Sequence, residues 1–160
     1  MTEQSNPIPA PSRTFMMIKP DAVRGRSIGA IIATLENHGF EVVRIRDRQL
    51  TPAFVDHFYA EHVGKPYYPP HQAFMVSGLV VGLELRGENA IGRLRGLAGA
   101  SDRAKALQGT FRQRFGRGMP ENAVHSSDSS EAALREAQLF FDTFAYRDPR
   151  EFGADEGTCG

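Results

Sequence analysis

One histidine, His125, closes the short run Asn122-Ala123-Val124 and stands just ahead of Asp128-Ser129-Ser130-Glu131. That tetrapeptide has the D-x-x-E form of a capping box, and an amphipathic run through Phe141 follows it. A side chain at such a strand-to-helix junction is aimed rather than left to wander. A neutral imidazole, with an unperturbed pKa of about 6.5, is a nucleophile at neutral pH without a base to activate it. Upstream, Lys19-Pro20-Asp21 places an ammonium and a carboxylate where a strand ends. Tyr67 and Tyr68 lie in a proline-stiffened stretch, where a ring can stack on a planar ligand. Arg95 and Arg112 carry guanidinium forks of the kind that suit phosphate oxygens. Singly, each feature is more often solvated surface. Their occurrence together points to chemistry.

The elements that must position these groups follow from pattern. Thr14–Lys19 reads as a buried strand stopped by Pro20. Ser27 precedes a helix with Ile28, Ile31, Ile32 and Leu35 on one face, ending at His38-Gly39. Phe40–Leu50 alternates as a strand with a phase change at Val43. Thr51-Pro52 opens a second helix with Phe54, Val55, Phe58 and Tyr59 as its apolar stripe. A short helix is expected over His71–Val76, a strand over Leu79–Leu85 and a helix over Asn89–Leu97. Ala98–Glu121 reads as a long basic connection, and such loops are usually functional. Ala123–His125 is a brief strand before the last helix. This order predicts an α+β fold, a ferredoxin-like four-stranded antiparallel sheet with helices packed on one face of it. No Gly-x-Gly-x-x-Gly or Walker loop is present, so any nucleotide phosphate must be held without one.

A chain of 160 residues, 41% hydrophobic and 24% charged, has the length and composition of one globular domain. Zero net charge favours neither nucleic acid nor a membrane surface. The charge is unevenly spread: Arg86 to Arg117 holds eight basic residues against Glu88 and Asp102. A block of this kind marks an anion site or a solvated helix face, and composition does not separate the two. The single Cys159 can form no internal disulfide, and Met1–Arg13 lacks the apolar core of an export signal. A cytoplasmic domain over 14–146 is expected, between a disordered lead over 1–13 and a polar tail over 147–160.

The motifs Ile18-Lys19-Pro20-Asp21, Lys65-Pro66-Tyr67-Tyr68, Ser77-Gly78, Gly109-Thr110-Phe111-Arg112 and Asn122 through Ser129 resemble those of the nucleoside diphosphate kinases. The resemblance implies ping-pong transfer of a γ-phosphoryl from a nucleoside triphosphate to a diphosphate, through a phosphohistidine on His125. It implies that Lys19 and Asn122 meet the sugar, with Lys19 also near the transferring phosphate. Tyr67 would stack on the base, with broad base tolerance as a result. Arg95, Ser101 and Arg112 would contact phosphates, with Ser101 in place of the usual threonine. Tyr59 would lie beside the phosphate, and Glu136 with Ser127 would support the histidine. Mg²⁺ is implied mainly through the nucleotide phosphates, with Asp128 as the nearest protein carboxylate. Relatives assemble as hexamers or tetramers built from a common dimer. A homo-oligomer is therefore expected here, with a dimer compatible with the altered long loop.

Three departures stand out. Ser126 follows the histidine where glycine is usual, and serine would be strained if that position needed a positive φ. The long loop lacks the proline usual before Gly109 and has Asp102-Arg103 where a proline commonly follows. Pro120-Glu121 replaces the usual Gly-Arg. They motivate a second reading, a nucleotide-binding relative with weak or lost catalysis that acts through partners. A third, an RNA-binding module, requires aromatics on central strands that Thr14–Lys19 and Leu79–Leu85 do not supply in the needed pattern.

Overall fold

The computed structural model describes residues 11–142, so Met1–Arg13 falls partly, and the tail with Cys159 wholly, outside the described residues. Four strands are present: β1 (Ser12–Ile18), β2 (Glu41–Gln49), β3 (Leu79–Gly87) and β4 (Val124–Ser126). They form one antiparallel sheet in the order β2-β3-β1-β4. The helices are α1 (Pro20–Arg24), α2 (Ile28–Asn37), α3 (Pro52–Phe58), α4 (Tyr68–Met75), α5 (Ala90–Ala98), α6 (Phe111–Phe115) and α7 (Ser130–Phe141). The ferredoxin-like α+β architecture is the one expected. The expected one-sided packing is corrected, because helices cover both faces.

Burial along β1 shows why. Met16 and Ile18 pack with Leu83 and Leu85 against α2 and α5, while Phe15 and Met17 pack with Val80 against α3, α4 and α7. All four β1 side chains are fully buried. A near-continuous apolar run is the mark of a strand covered twice. Gly82 on β3 lets α7 come close: a Cβ there would lie 2.3 Å from the Phe140 ring. The phase change in β2 is a bulge between Val42 and Arg44.

Several boundaries move for identifiable reasons. β1 starts at Ser12, paired with Gly87, inside the stretch read as a disordered lead. Pro20 does more than stop the strand. It occupies the first turn of α1, where its missing N–H costs nothing. Helix α4 begins at Tyr68 rather than His71, because Pro69 and Pro70 fall in its first turn and are tolerated there. The long connection contains a 3₁₀ turn over Arg103–Lys105 and the one-turn helix α6, whose Thr110 cap accepts a hydrogen bond from the Gln113 N–H. The last helix is capped by Ser129, which accepts from the Ala132 N–H, and not by Asp128. Ser27 stands at an N-cap position without a side-chain capping bond.

Candidate active site

Strand β4 carries His125 opposite Met17 on β1, and the Ser127 N–H donates to the Phe15 carbonyl just beyond it. The residue that kinks the chain into this strand is Ala123, at φ 72°. A left-handed conformation is costly for alanine, so the surroundings must impose it. They do: the Ala123 N–H donates to Asp21 Oδ2 at 3.0 Å, and the Ala123 carbonyl accepts from the Lys19 N–H at 2.8 Å. The Lys19-Pro20-Asp21 turn thus clamps the segment that presents the histidine. Ser126 lies in β4 opposite Met16 and has no positive φ, so the strain expected of a serine there is absent.

The imidazole of His125 is packed edge-on by Phe58 and Tyr59, at centroid distances of 5.2 and 5.6 Å. Its Nε2 lies 3.0 Å from Glu136 Oε1. Glu136 is 5% exposed and is itself held by the Ser127 hydroxyl, which donates to Oε2. Ionised carboxylate oxygens only accept, so this contact places the proton on Nε2 and leaves the Nδ1 lone pair outward. That is the arrangement a nitrogen nucleophile needs.

Three cavities, of about 380, 440 and 600 Å³, meet at His125. The first is flanked by Glu61, Asp128 and Arg135. The second takes in Lys19, Tyr59, Tyr67, Met119 and Asn122. The third takes in Arg95, Ser101, Arg112 and Asp128. Of the residues given site roles by the resemblance, all line this space except Ser127, which is fully buried behind Glu136; Asp21 and Tyr68, also noted from sequence, lie outside it.

Lys19 is 5% exposed and donates from Nζ to Asn122 Oδ1 at 2.8 Å. Asn122 in turn donates to the Ser101 carbonyl at 3.1 Å, so Ser101 contributes its backbone while its side chain stays exposed. Arg112 is nearly buried and donates to the Gly99 and Val124 carbonyls at 2.6 and 3.0 Å. Gly99, at φ 86°, is required here, since a Cβ would meet the Thr110 side chain at 2.5 Å. Arg95 is exposed at the rim of the same cavity. The two arginines do converge, although only one is preorganised. Tyr68 is not a platform: it is buried and donates to Asp56 at 2.6 Å, which leaves Tyr67, 58% exposed, as the available ring. His62, His71 and Met119 also line the second cavity, and no local sequence pattern marks them.

Burial depresses the Lys19 ammonium to about 7, with the Arg112 charge adding to the effect and Asp21 opposing it. Burial likewise depresses Arg112 and pushes the Tyr59 hydroxyl well above the ordinary phenol range. The Lys19 shift has a consequence for stability. Between about pH 7 and the unfolded value near 10.5, the unfolded chain binds the lysine proton and the native protein does not. Stability therefore rises with pH across that window. Lys19→Met is expected to flatten this rise, as read from midpoints of urea unfolding at pH 7, 8.5 and 10. An unchanged slope would show that other groups produce it.

Residues 12–146 match the family described as nucleoside diphosphate kinase. A protein of that name from Nocardioides sp. is 43% identical over 129 residues, covering 81% of this chain and 96% of its own length. Another, from Methanocaldococcus jannaschii, is 43% identical over 129 residues, covering 81% of this chain and 92% of its own. Among solved structures, the Aquifex aeolicus nucleoside diphosphate kinase superposes with a TM-score of 0.79 at 34% identity. It covers 82% of this chain and 96% of that one. The Encephalitozoon cuniculi enzyme superposes with a TM-score of 0.79 at 30% identity, covering 81% and 88%. Fold, site and likeness together define an enzyme of the nucleotide phosphotransferase class. The chain belongs to the nucleoside diphosphate kinase family.

Proposed function

We propose that this enzyme moves a γ-phosphoryl between nucleotides in two half-reactions through His125. A nucleoside triphosphate docks with its phosphates between Arg95, Arg112 and Lys19. The Nδ1 lone pair attacks the γ-phosphorus, the bond to the β,γ-bridging oxygen breaks, and the diphosphate leaves. A second diphosphate then takes the group by the reverse chemistry. The observation that carries this reading is the Nε2–Glu136–Ser127 chain, because it fixes the tautomer that exposes Nδ1 to the shared cavity. Little covalent chemistry is asked of the protein. Positioning and charge neutralisation account for most of the work.

Lys19 and Asn122, already hydrogen-bonded to each other, present one polar edge suited to ribose hydroxyls. The described residues contain no cluster of three or more metal-ligating His, Cys, Asp or Glu side chains. In this reading Mg²⁺ is held chiefly by nucleotide phosphates and water, with exposed Asp128 as the nearby carboxylate. When bound, the ion neutralises charge on the phosphate chain. We extend the proposal to a cytoplasmic homo-oligomer. No helix among the described residues is long and apolar enough to cross a membrane. Among the described residues, the nine-residue strand β2 is paired on one side only, with Ile45 half-exposed on it.

The test is incubation with γ-labelled ATP, followed by a chase with dTDP. An acid-labile, base-stable label that dTDP removes is expected, and a protein that binds ATP without taking label would leave the partner-acting alternative in its place. Base tolerance has its own prediction. Tyr67→Ala is expected to weaken nucleotide binding by roughly 1–3 kcal/mol, the usual range for one stacked base. Calorimetry with ADP and dTDP should show comparable losses, and a loss confined to one base would mean that hydrogen-bond readout dominates.

A further inference from the structure

Among the described residues, His62 is the one side chain besides His125 that borders all three cavities. It sits in the 3₁₀ turn Ala60–His62 that follows α3, with its ring between Tyr59 and Tyr67 at 6.0 and 5.7 Å. Its Nδ1 lies 2.6 Å from the Tyr67 hydroxyl. Nothing in the stacking account of Tyr67 uses that hydroxyl, since a phenyl ring would stack as well.

We infer that the Tyr67 hydroxyl is a positioning group that sets the tautomer of His62 and so makes His62 a hydrogen-bond donor to the nucleotide phosphates. The phenol O–H donates to Nδ1, which obliges the neutral imidazole to carry its proton on Nε2. That second nitrogen belongs to a ring bordering the cavity lined by Arg95, Arg112 and His125, where the phosphate chain would find its cationic partners. The ring that receives the base and the donor that meets the phosphates are thereby one hydrogen-bonded unit. Such a unit is ordered once, when the base docks, and the donor is then already aimed. Exposure of Tyr67 at 58% makes this coupling sensitive to the ligand, because a stacked base restrains the phenol from its open side.

The inference rests on the nucleotide assignment of the cavities, but its test does not require phosphoryl transfer. Tyr67→Phe retains the ring and removes only the hydroxyl. It is expected to weaken ADP binding roughly three- to tenfold, the range of one ordinary hydrogen bond. Adenosine, which has the base and sugar but no phosphate, is expected to bind the variant as it binds the parent protein. In a His62→Ala background the same Tyr67→Phe change should have no further effect on ADP, as a double-mutant cycle reads directly. Equal losses for ADP and adenosine would overturn the inference, because they would place the hydroxyl on the base or in the stack. Additive effects in the cycle, or wild-type ADP affinity in Tyr67→Phe, would overturn it too. Failure of His125 to take label from ATP would refute the proposed reaction and leave these binding comparisons intact.

Discussion

His125→Ala is expected to take up no label from γ-labelled ATP above background and to transfer none to a diphosphate. The reason is specific to Nδ1. Among the described residues, no other side chain in the shared cavities combines an outward lone pair with a carboxylate that fixes its tautomer, as Glu136 does at 3.0 Å. His62 and His71 border the same space, yet His62 has its Nδ1 engaged by Tyr67. Burial, together with the nearby Lys19 charge, pushes the His71 imidazole down to about 4, and its Nε2 is enclosed without a hydrogen-bond partner among the described residues. Removing the ring leaves Glu136 buried with only the Ser127 hydroxyl, so some loss of stability must be separated from loss of chemistry. His125→Gln serves for this, since its amide can still donate toward Glu136. Both variants should unfold cooperatively while remaining unlabelled. Label retained in either would move the nucleophile elsewhere.

Arg112→Ala is expected to lower kcat/KM roughly 10- to 150-fold, the equivalent of about 1.5–3 kcal/mol for one charge-assisted contact. The loss should appear in kcat as well as KM. Arg112 is held by the Gly99 and Val124 carbonyls, so its charge is in place before the phosphoryl moves and needs no reorganisation. Arg95→Ala is expected to act mainly on KM and more weakly, because that side chain is exposed at the rim and must be ordered by the ligand. Steady-state kinetics of the two single variants make the comparison. Equal effects on kcat would show that preorganisation is not what separates them. The Arg112 variant also strips two carbonyls of their donor, so its unfolding midpoint should fall while that of the Arg95 variant stays near wild type.

The reading in which catalysis has been lost draws its support from Ser126 and Pro120-Glu121. The conformation of Ser126 removes one of its arguments, since β4 accepts serine without strain. The departure at Glu121 is unaffected: a carboxylate stands where the resemblance implies a cation. Turnover in the ATP-to-dTDP assay is therefore the quantity that separates a working enzyme from a binding relative.

Much of the sheet and the junction that presents His125 was legible in the sequence because local rules decide them. Apolar alternation marks β2, a capping hydroxyl followed by proline marks α3, and His125 before a run of helix formers marks the β4–α7 junction. Local rules fail where the determinant is a distant partner. Ala123 carries no signal for a positive φ, and only the Lys19-Pro20-Asp21 turn, about a hundred residues earlier, imposes one. The choice of Ser129 over Asp128 as cap depends on where β4 ends, which pairing with β1 sets. Helix α6 is a single turn, too short for periodicity to register. Two-sided burial of β1 was implicit in its unbroken apolar run, but helices on a second face require the whole chain to be folded. The division between Arg112 and Arg95 is the clearest case. Both are arginines in one basic block, and sequence treats them alike. The carbonyls of Gly99 and Val124, brought together by the packing of α5, α6 and β4, bury one and leave the other in solvent. Residue type decides what a side chain can do, whereas burial and fixed partners come from contacts between segments far apart in the chain.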